Sequence, residues 1–267
     1  MKVVLFCGGM GTRLGGLSEN VPKPMVKIGY RPILWHVMKY YAHFGYKDFI
    51  LCLGYRADAI KSYFLNYNEY ISNDFVMKNG GQQISLKNSD IGDWTINFVD
   101  TGLRNNIGQR LKMVEPYLKN EEIFLANYSD GLTDLKLPLM VEHLRQSGKI
   151  ASCICVKPSQ SFHVVEMDSH GLVKDIQYIR DKDILINGGF FVFRKEIFDY
   201  IKQGEELVIE PFQRLIAEKQ LIGYRYANFW CMDTFKEHQE LNDMHNQGNA
   251  PWEVWNNAND ILDKESE

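Results

Sequence analysis

Cysteine is scarce. The five in 267 residues are Cys7, Cys52, Cys153, Cys155 and Cys231, and no C-x-x-C pair occurs among them. That excludes a disulfide scaffold and a zinc ribbon, and fits reduced, buried thiols in a cytoplasmic protein. No stretch approaches the ~18 to 20 consecutive apolar residues of a membrane span, so no membrane partner is expected. The first residues read as a strand with one lysine and no small-residue cleavage site, so no signal peptide is expected. Positive charge is not in surplus: the net charge is -4. This speaks against a nucleic-acid surface. The seven histidines show no H-E-x-x-H or other metal spacing, and there is no internal repeat and no low-complexity linker. What is present is a chain 45% hydrophobic, long enough for one sizeable core. Residues 256–267 read as an acidic, polar tail, for which disorder is the expectation.

The first 155 residues alternate strand and helix, as a mainly parallel sheet requires. Strands are expected at Lys2–Cys7, Asp48–Leu53, Thr95–Val99, Ile123–Asn127 and Ile150–Val156. Helices are expected at Pro32–Phe44, at Ala57–Leu65, from about Ile107, and at Leu137–Gln146. The remainder is richer in β-structure. Val164–Asp168 and Leu172–Ile179 read as a hairpin, Phe190–Phe193 and Gly223–Tyr226 as strands. Glu196–Ile201, Glu210–Glu218 and Thr234–Gln247 read as helices. Cys153 and Cys155 are expected to pack on one strand face. His36 is expected to be a core or hinge histidine, and the aromatic run Tyr40–Tyr46 to lie in the core or at a subunit contact. The expectation is one α/β domain over residues 1–255, with a Rossmann-like, mixed but mainly parallel sheet flanked by helices. Its halves are 1–155 and a smaller β-rich 156–255.

The richest segment is "VVLFCGGMGTRLGGLSENVPKPMV", Val3–Val26. In an α/β sheet, ligands bind at the carboxyl ends of strands. Gly8, Gly9 and Gly11 let backbone N–H groups approach an anion without a Cβ in the way. A dinucleotide fingerprint fails because Leu14 stands where its third glycine belongs. A Walker A loop fails because Leu17 follows Gly16 where lysine is required. Arg13 and Lys23 nevertheless point to a polyphosphate, and Pro22 and Pro24 stiffen the backbone that aims Lys23.

G-G-x-G-T-R-L followed by Lys23-Pro24 resembles the sugar-phosphate nucleotidylyltransferases. "VDTG", "GQRLK", "NYSDG", "INGGFFVF", "FWCMDT" and "APWEVW" follow in order and narrow the resemblance to the cytidylyl branch. The likeness covers residues 1–255. It implies the nucleotidyltransferase (GT-A-like) fold, with a nucleotide-binding half and an acceptor-binding half. It also implies transfer of a cytidylyl group from CTP to a sugar 1-phosphate or related acceptor, for cell-surface polysaccharide precursors. By residue, it implies that the Gly8, Gly9, Gly11 and Thr12 loop holds the triphosphate. Arg13 then clamps the β- and γ-oxygens, and Lys23 sits by the α-phosphate. Asp130 and Asp233 bind Mg²⁺, while Gly102 and Arg110 border the base. Asp130 otherwise reads as a turn residue, Asp233 as a helix cap and Arg110 as a solvated helix arginine. "FWCMDT" is one residue shorter than the family spacing. A homo-oligomer is expected.

The acceptor half departs from the family pattern. Tyr178 and Ile179 stand where the family has Glu-Lys, and Ser161 and His163 stand where its Arg-Phe-Gly has arginine and glycine; Asn187 is retained. Arg180 or Lys182 could supply the missing cation; otherwise the acceptor is not glucose 1-phosphate. Three other readings stay open: use of dTTP, UTP or GTP; a non-catalytic nucleotide-binding subunit; and a metal-dependent glycosyltransferase, against which the G-T-R-L loop and Lys23 argue.

Overall fold

The computed structural model describes residues 1–9, 21–159 and 162–256. In chain order the strands are β1 (Val3–Phe6), β2 (Lys27–Ile28), β3 (Arg31–Pro32), β4 (Asp48–Leu53), β5 (Phe75–Lys78), β6 (Gln83–Leu86), β7 (Thr95–Asp100), β8 (Ile123–Tyr128), β9 (Gly131–Thr133), β10 (Ala151–Val156), β11 (His163–Met167), β12 (Val173–Tyr178), β13 (Ile186–Arg194), β14 (Leu221–Arg225) and β15 (Phe229–Cys231). The helices are α1 (Ile33–His43), α2 (Ala57–Leu65), α3 (Ile107–Val114), α4 (Leu137–Ser147), α5 (Glu210–Ala217) and α6 (Phe235–Asn246).

Seven strands form the central sheet, in the order β14-β10-β13-β8-β1-β4-β7. All neighbours are parallel except β13, which runs antiparallel to both β10 and β8. β1 lies inside the sheet and all four of its residues are buried. Their alternation divides the core. Val3 and Leu5 face α1 and α4 in a cluster with Val37, Tyr41, Leu125 and Phe190. Val4 and Phe6 face α3 and α5 with Leu111, Phe124, Phe193 and Leu215. A strand buried on both faces reads as a continuous apolar run, which is why β1, β4 and β8 are legible from composition alone. Tyr40, Tyr41 and His36 are core residues, as expected.

Two sequence expectations change, and one element was not foreseen. The helix expected at Glu196–Ile201 is a 3₁₀ segment, Lys195–Tyr200. Six residues are too few to nucleate a stable α-helix, so the chain takes the tighter turn while burying Ile197 and Phe198. Asn187–Gly189, expected to precede a strand, lies within β13, because β10 pairs back that far: Cys155 with Asn187 and Val156 with Ile186. The β5–β6 hairpin had no sequence prediction; its strands are four residues each, too short for a clear period, and exposed along almost their whole length.

Candidate active site

Lys23 opens a 3₁₀ turn, Lys23–Met25, between two buried prolines. Val26 N–H donates to its carbonyl at 3.1 Å and Met25 N–H to Pro22 at 2.8 Å. The stem is therefore aimed inward, and its side chain is only 13% exposed. The ammonium forms a close ion pair with Asp130 and donates to Asp233 Oδ1 at 2.6 Å. Burial alone would push this lysine's pKa down. The Asp130 and Asp233 carboxylates outweigh burial and hold it above the ordinary lysine value. The group is thus a fixed cation at neutral pH, not a base. The sign follows: its contribution to stability is complete below the unfolded value of about 10.4 and is lost as pH rises through the higher folded value.

The two acids come from distant segments, and a ribbon unannounced by the sequence joins them. Asp130 is in the turn between β8 and β9, and β9 pairs antiparallel with β15, Gly131 opposite Cys231. Met232 N–H then donates to Asp130 O at 3.1 Å, which places Asp233 beside Asp130. Asp233 does not cap α6. Thr234 does, in a reciprocal box: its hydroxyl accepts from Glu237 N–H, and the Glu237 carboxylate accepts from the Thr234 and Asp233 N–H groups. The Asp233 side chain is left to meet Lys23. Among the described residues, no group of three or more His, Cys, Asp or Glu has metal-holding geometry. Two carboxylates converging where a cation already sits fit Mg²⁺, which takes one or two carboxylates and completes its shell with water and phosphate oxygens.

Arg110 is not a solvated helix residue. It is 3% exposed. Its guanidinium donates to Leu53 O (3.0 Å), Thr101 Oγ1 (2.7 Å), Gly8 O (3.2 Å) and Leu103 O (3.4 Å). Burial draws its pKa below the ordinary arginine value. These bonds tie together the segments that follow β1, β4 and β7. The backbones approach so closely that side chains would not fit. A Cβ on Gly8 would lie 2.0 Å from Arg110 Nη1. One on Gly54 would lie 2.8 Å from the same atom and 2.9 Å from the carbonyl oxygens of both Gly8 and Gly102. Gly102 has φ +80 and its N–H bonds Asp100 Oδ1 at 2.9 Å. Gly9, by contrast, has open space where a Cβ would be. Gly54 was missed in the sequence reading. Its signal emerges only with the sheet order: a glycine stands within two residues of the end of each of three adjacent parallel strands, β1, β4 and β7.

In the other half, His163 pairs with Tyr178 at the base of the β11–β12 hairpin, ring centroids 4.2 Å apart. Lys182 is committed to Glu166 (2.7 Å) and Asp175 (3.2 Å) on that hairpin. Arg180 is exposed in the turn that follows it. Asn187 Oδ1 accepts from Gly189 N–H at 3.0 Å on β13. The structure therefore brings Lys23, Asp130 and Asp233 together, and separately Gly8, Gly102 and Arg110. It places His163, Tyr178 and Arg180 around the hairpin base. Gly11, Thr12, Arg13 and Ser161 lie outside the described residues.

Comparison with known proteins finds relatives along nearly the whole chain. The chain is 36% identical to glucose-1-phosphate cytidylyltransferase of Salmonella typhi over 258 residues, 96% of this chain and all of that one. It is 34% identical, with the same coverage, to "Probable glucose-1-phosphate cytidylyltransferase" of Bacillus subtilis (strain 168). The crystal structure of HddC from Yersinia pseudotuberculosis complexed with GMP-PN superposes with a TM-score of 0.62 at 20% identity, covering 91% of this chain and 99% of that one. That likeness extends the mixed, helix-flanked sheet to the GT-A-like nucleotidyltransferase fold. The nucleotidyl transferase family model matches residues 2–247. With Lys23 set between two aspartates at the carboxyl edge of this sheet, the chain belongs to the nucleotidyl transferase family and is a nucleotidyltransferase.

Proposed function

We propose that the chain transfers a cytidylyl group from CTP to a sugar 1-phosphate or related phosphorylated acceptor, giving a CDP-linked product and pyrophosphate. The observation that carries this reading is the Lys23 ammonium held between Asp130 and Asp233. The choice of CTP rests on the two cytidylyltransferase relatives, matched along nearly the whole chain.

An acceptor phosphate oxygen attacks the α-phosphorus of CTP. The new P–O bond forms as the α–β bridge breaks, and pyrophosphate leaves with the bonding pair. Both partners are anions, so the chain must offset charge and align groups rather than supply a covalent intermediate. Lys23 binds the α-phosphate and keeps its proton while negative charge grows there. The loop of Gly8, Gly9, Gly11 and Thr12, with Arg13, holds the triphosphate. Arg110 shapes the base pocket by fixing the Gly8, Gly54 and Gly102 segments it ties. Asp130 and Asp233 would hold Mg²⁺, which when bound offsets phosphate charge. Residues 1–155 serve the nucleotide and 156–255 the acceptor. The setting is cytoplasmic synthesis of polysaccharide precursors, by a homo-oligomer.

The test is pyrophosphate release with Mg²⁺ and each of CTP, dTTP, UTP and GTP, against glucose 1-phosphate and glycerol 3-phosphate. CTP should support the fastest turnover. Release that is as fast with dTTP or GTP overturns the base assignment. No release from any pair would mark a nucleotide-binding subunit without turnover.

A further inference from the structure

The geometry points to Lys157, with Arg180, as the cation pair that seats the acceptor's phosphate. This rests on the transfer reaction proposed above. Lys157 follows Val156, the last residue of β10, at the carboxyl edge of the sheet. It is exposed between two buried residues, Val156 and Pro158. Lys23 is set in the same way between buried Pro22 and Pro24. Buried neighbours on both sides fix where each lysine stem leaves the backbone.

The Lys157 ammonium bonds the Arg180 carbonyl at 3.0 Å, not a carboxylate. The neighbouring acids are already engaged: Lys182 holds Glu166 and Asp175, and Arg225 pairs with Asp183. Lys157 and Arg180 are left, with Asp181 next to Arg180 in the chain. Neither forms an ion pair with it, or with any other acid among the described residues. A lysine ammonium seated on the backbone of an exposed arginine, both without an anionic partner, suits a doubly charged phosphate, which offers several acceptor oxygens.

The position fits the reaction. β13 alone lies between β10 and β8, and β8 leads to Asp130. Two strand spacings amount to about 10 Å. A lysine's four-carbon stem spans much of that gap, so the attacking phosphate can be anchored by Lys157 and still face the group bound at Lys23. Lys182, the nearer choice by sequence, is turned instead to Glu166 and Asp175 on the hairpin itself.

The experiment is steady-state pyrophosphate release with CTP, Mg²⁺ and the better of glucose 1-phosphate and glycerol 3-phosphate, for wild type, Lys157→Ala, Lys157→Arg and Arg180→Ala. Loss of one charge-assisted contact should raise the acceptor KM ~10- to 150-fold in each alanine variant, leave the CTP KM unchanged, and be largely restored in Lys157→Arg. Both sites are exposed, so the variants should fold, and unchanged thermal melting checks this. An acceptor KM within twofold of wild type in both alanine variants overturns the assignment while the transfer reaction stands. A wild type inactive with every acceptor overturns the reaction itself, and this inference with it.

Discussion

The sides of the molecule proposed to hold donor and acceptor are built differently. On the donor side, adjacent parallel strands bring three glycines so close that a single buried arginine bonds the carbonyls of all three segments. A lysine is locked between two acids there. On the acceptor side, a two-stranded hairpin stands out with Val165, Met167, Ile176 and Tyr178 exposed. Its charges pair across its own surface. The first arrangement has almost no tolerance, because backbone meets backbone. The second can exchange side chains without disturbing the sheet. One fold can thus hold its nucleotide chemistry fixed while its acceptor changes.

That contrast can be broken by substitution. The largest effect is expected at Lys23. Lys23→Ala should lower kcat ~10²- to 10³-fold, the scale of one preorganised electrostatic donor, whichever acceptor is used. A near-normal rate would remove it from the chemistry. Next is Asp130→Asn, which should raise the Mg²⁺ concentration for half-maximal rate at least ~10-fold; an unchanged metal titration would take Asp130 out of the metal site. Gly54→Ala comes third. Its methyl group meets two carbonyl oxygens that cannot retreat, so a cost of ~1 to 3 kcal/mol is expected, or ~2 to 10 °C in Tm. A wild-type melting curve would mean that the three loops are slack. The smallest effect should be Lys182→Ala. Its ion pairs lie on the exposed hairpin, where solvent screens them. Melting and acceptor KM should both stay at wild-type levels, and a raised acceptor KM would return Lys182 to the site.

Legibility follows the same division. The buried strands β1, β4, β8 and β10 could be read because burial on both faces forces continuous apolar runs. Lys23 stood out because it lies between two prolines after a glycine-rich loop, whereas Asp130 and Asp233 came only from the family resemblance. The β9–β15 ribbon that joins the two acids was not legible: three residues per strand carry no periodicity. Arg110 was identified, but not its engagement, since a helical arginine looks the same whether it faces water or four buried oxygens. Gly54 escaped because one glycine after a strand is ordinary; only the adjacency of β1, β4 and β7 gives it meaning. Lys157 escaped because its value depends on which nearby acids are already taken, a fact of packing and not of spacing.

Calorimetric titration of each of CTP, dTTP, UTP and GTP with Mg²⁺, in the absence of any acceptor, tests the account most directly. A donor side preformed by Arg110 and the three glycine segments should bind CTP without waiting for the acceptor, and more tightly than the other three. Equal or tighter binding of dTTP or GTP, or no binding until an acceptor is added, would contradict it.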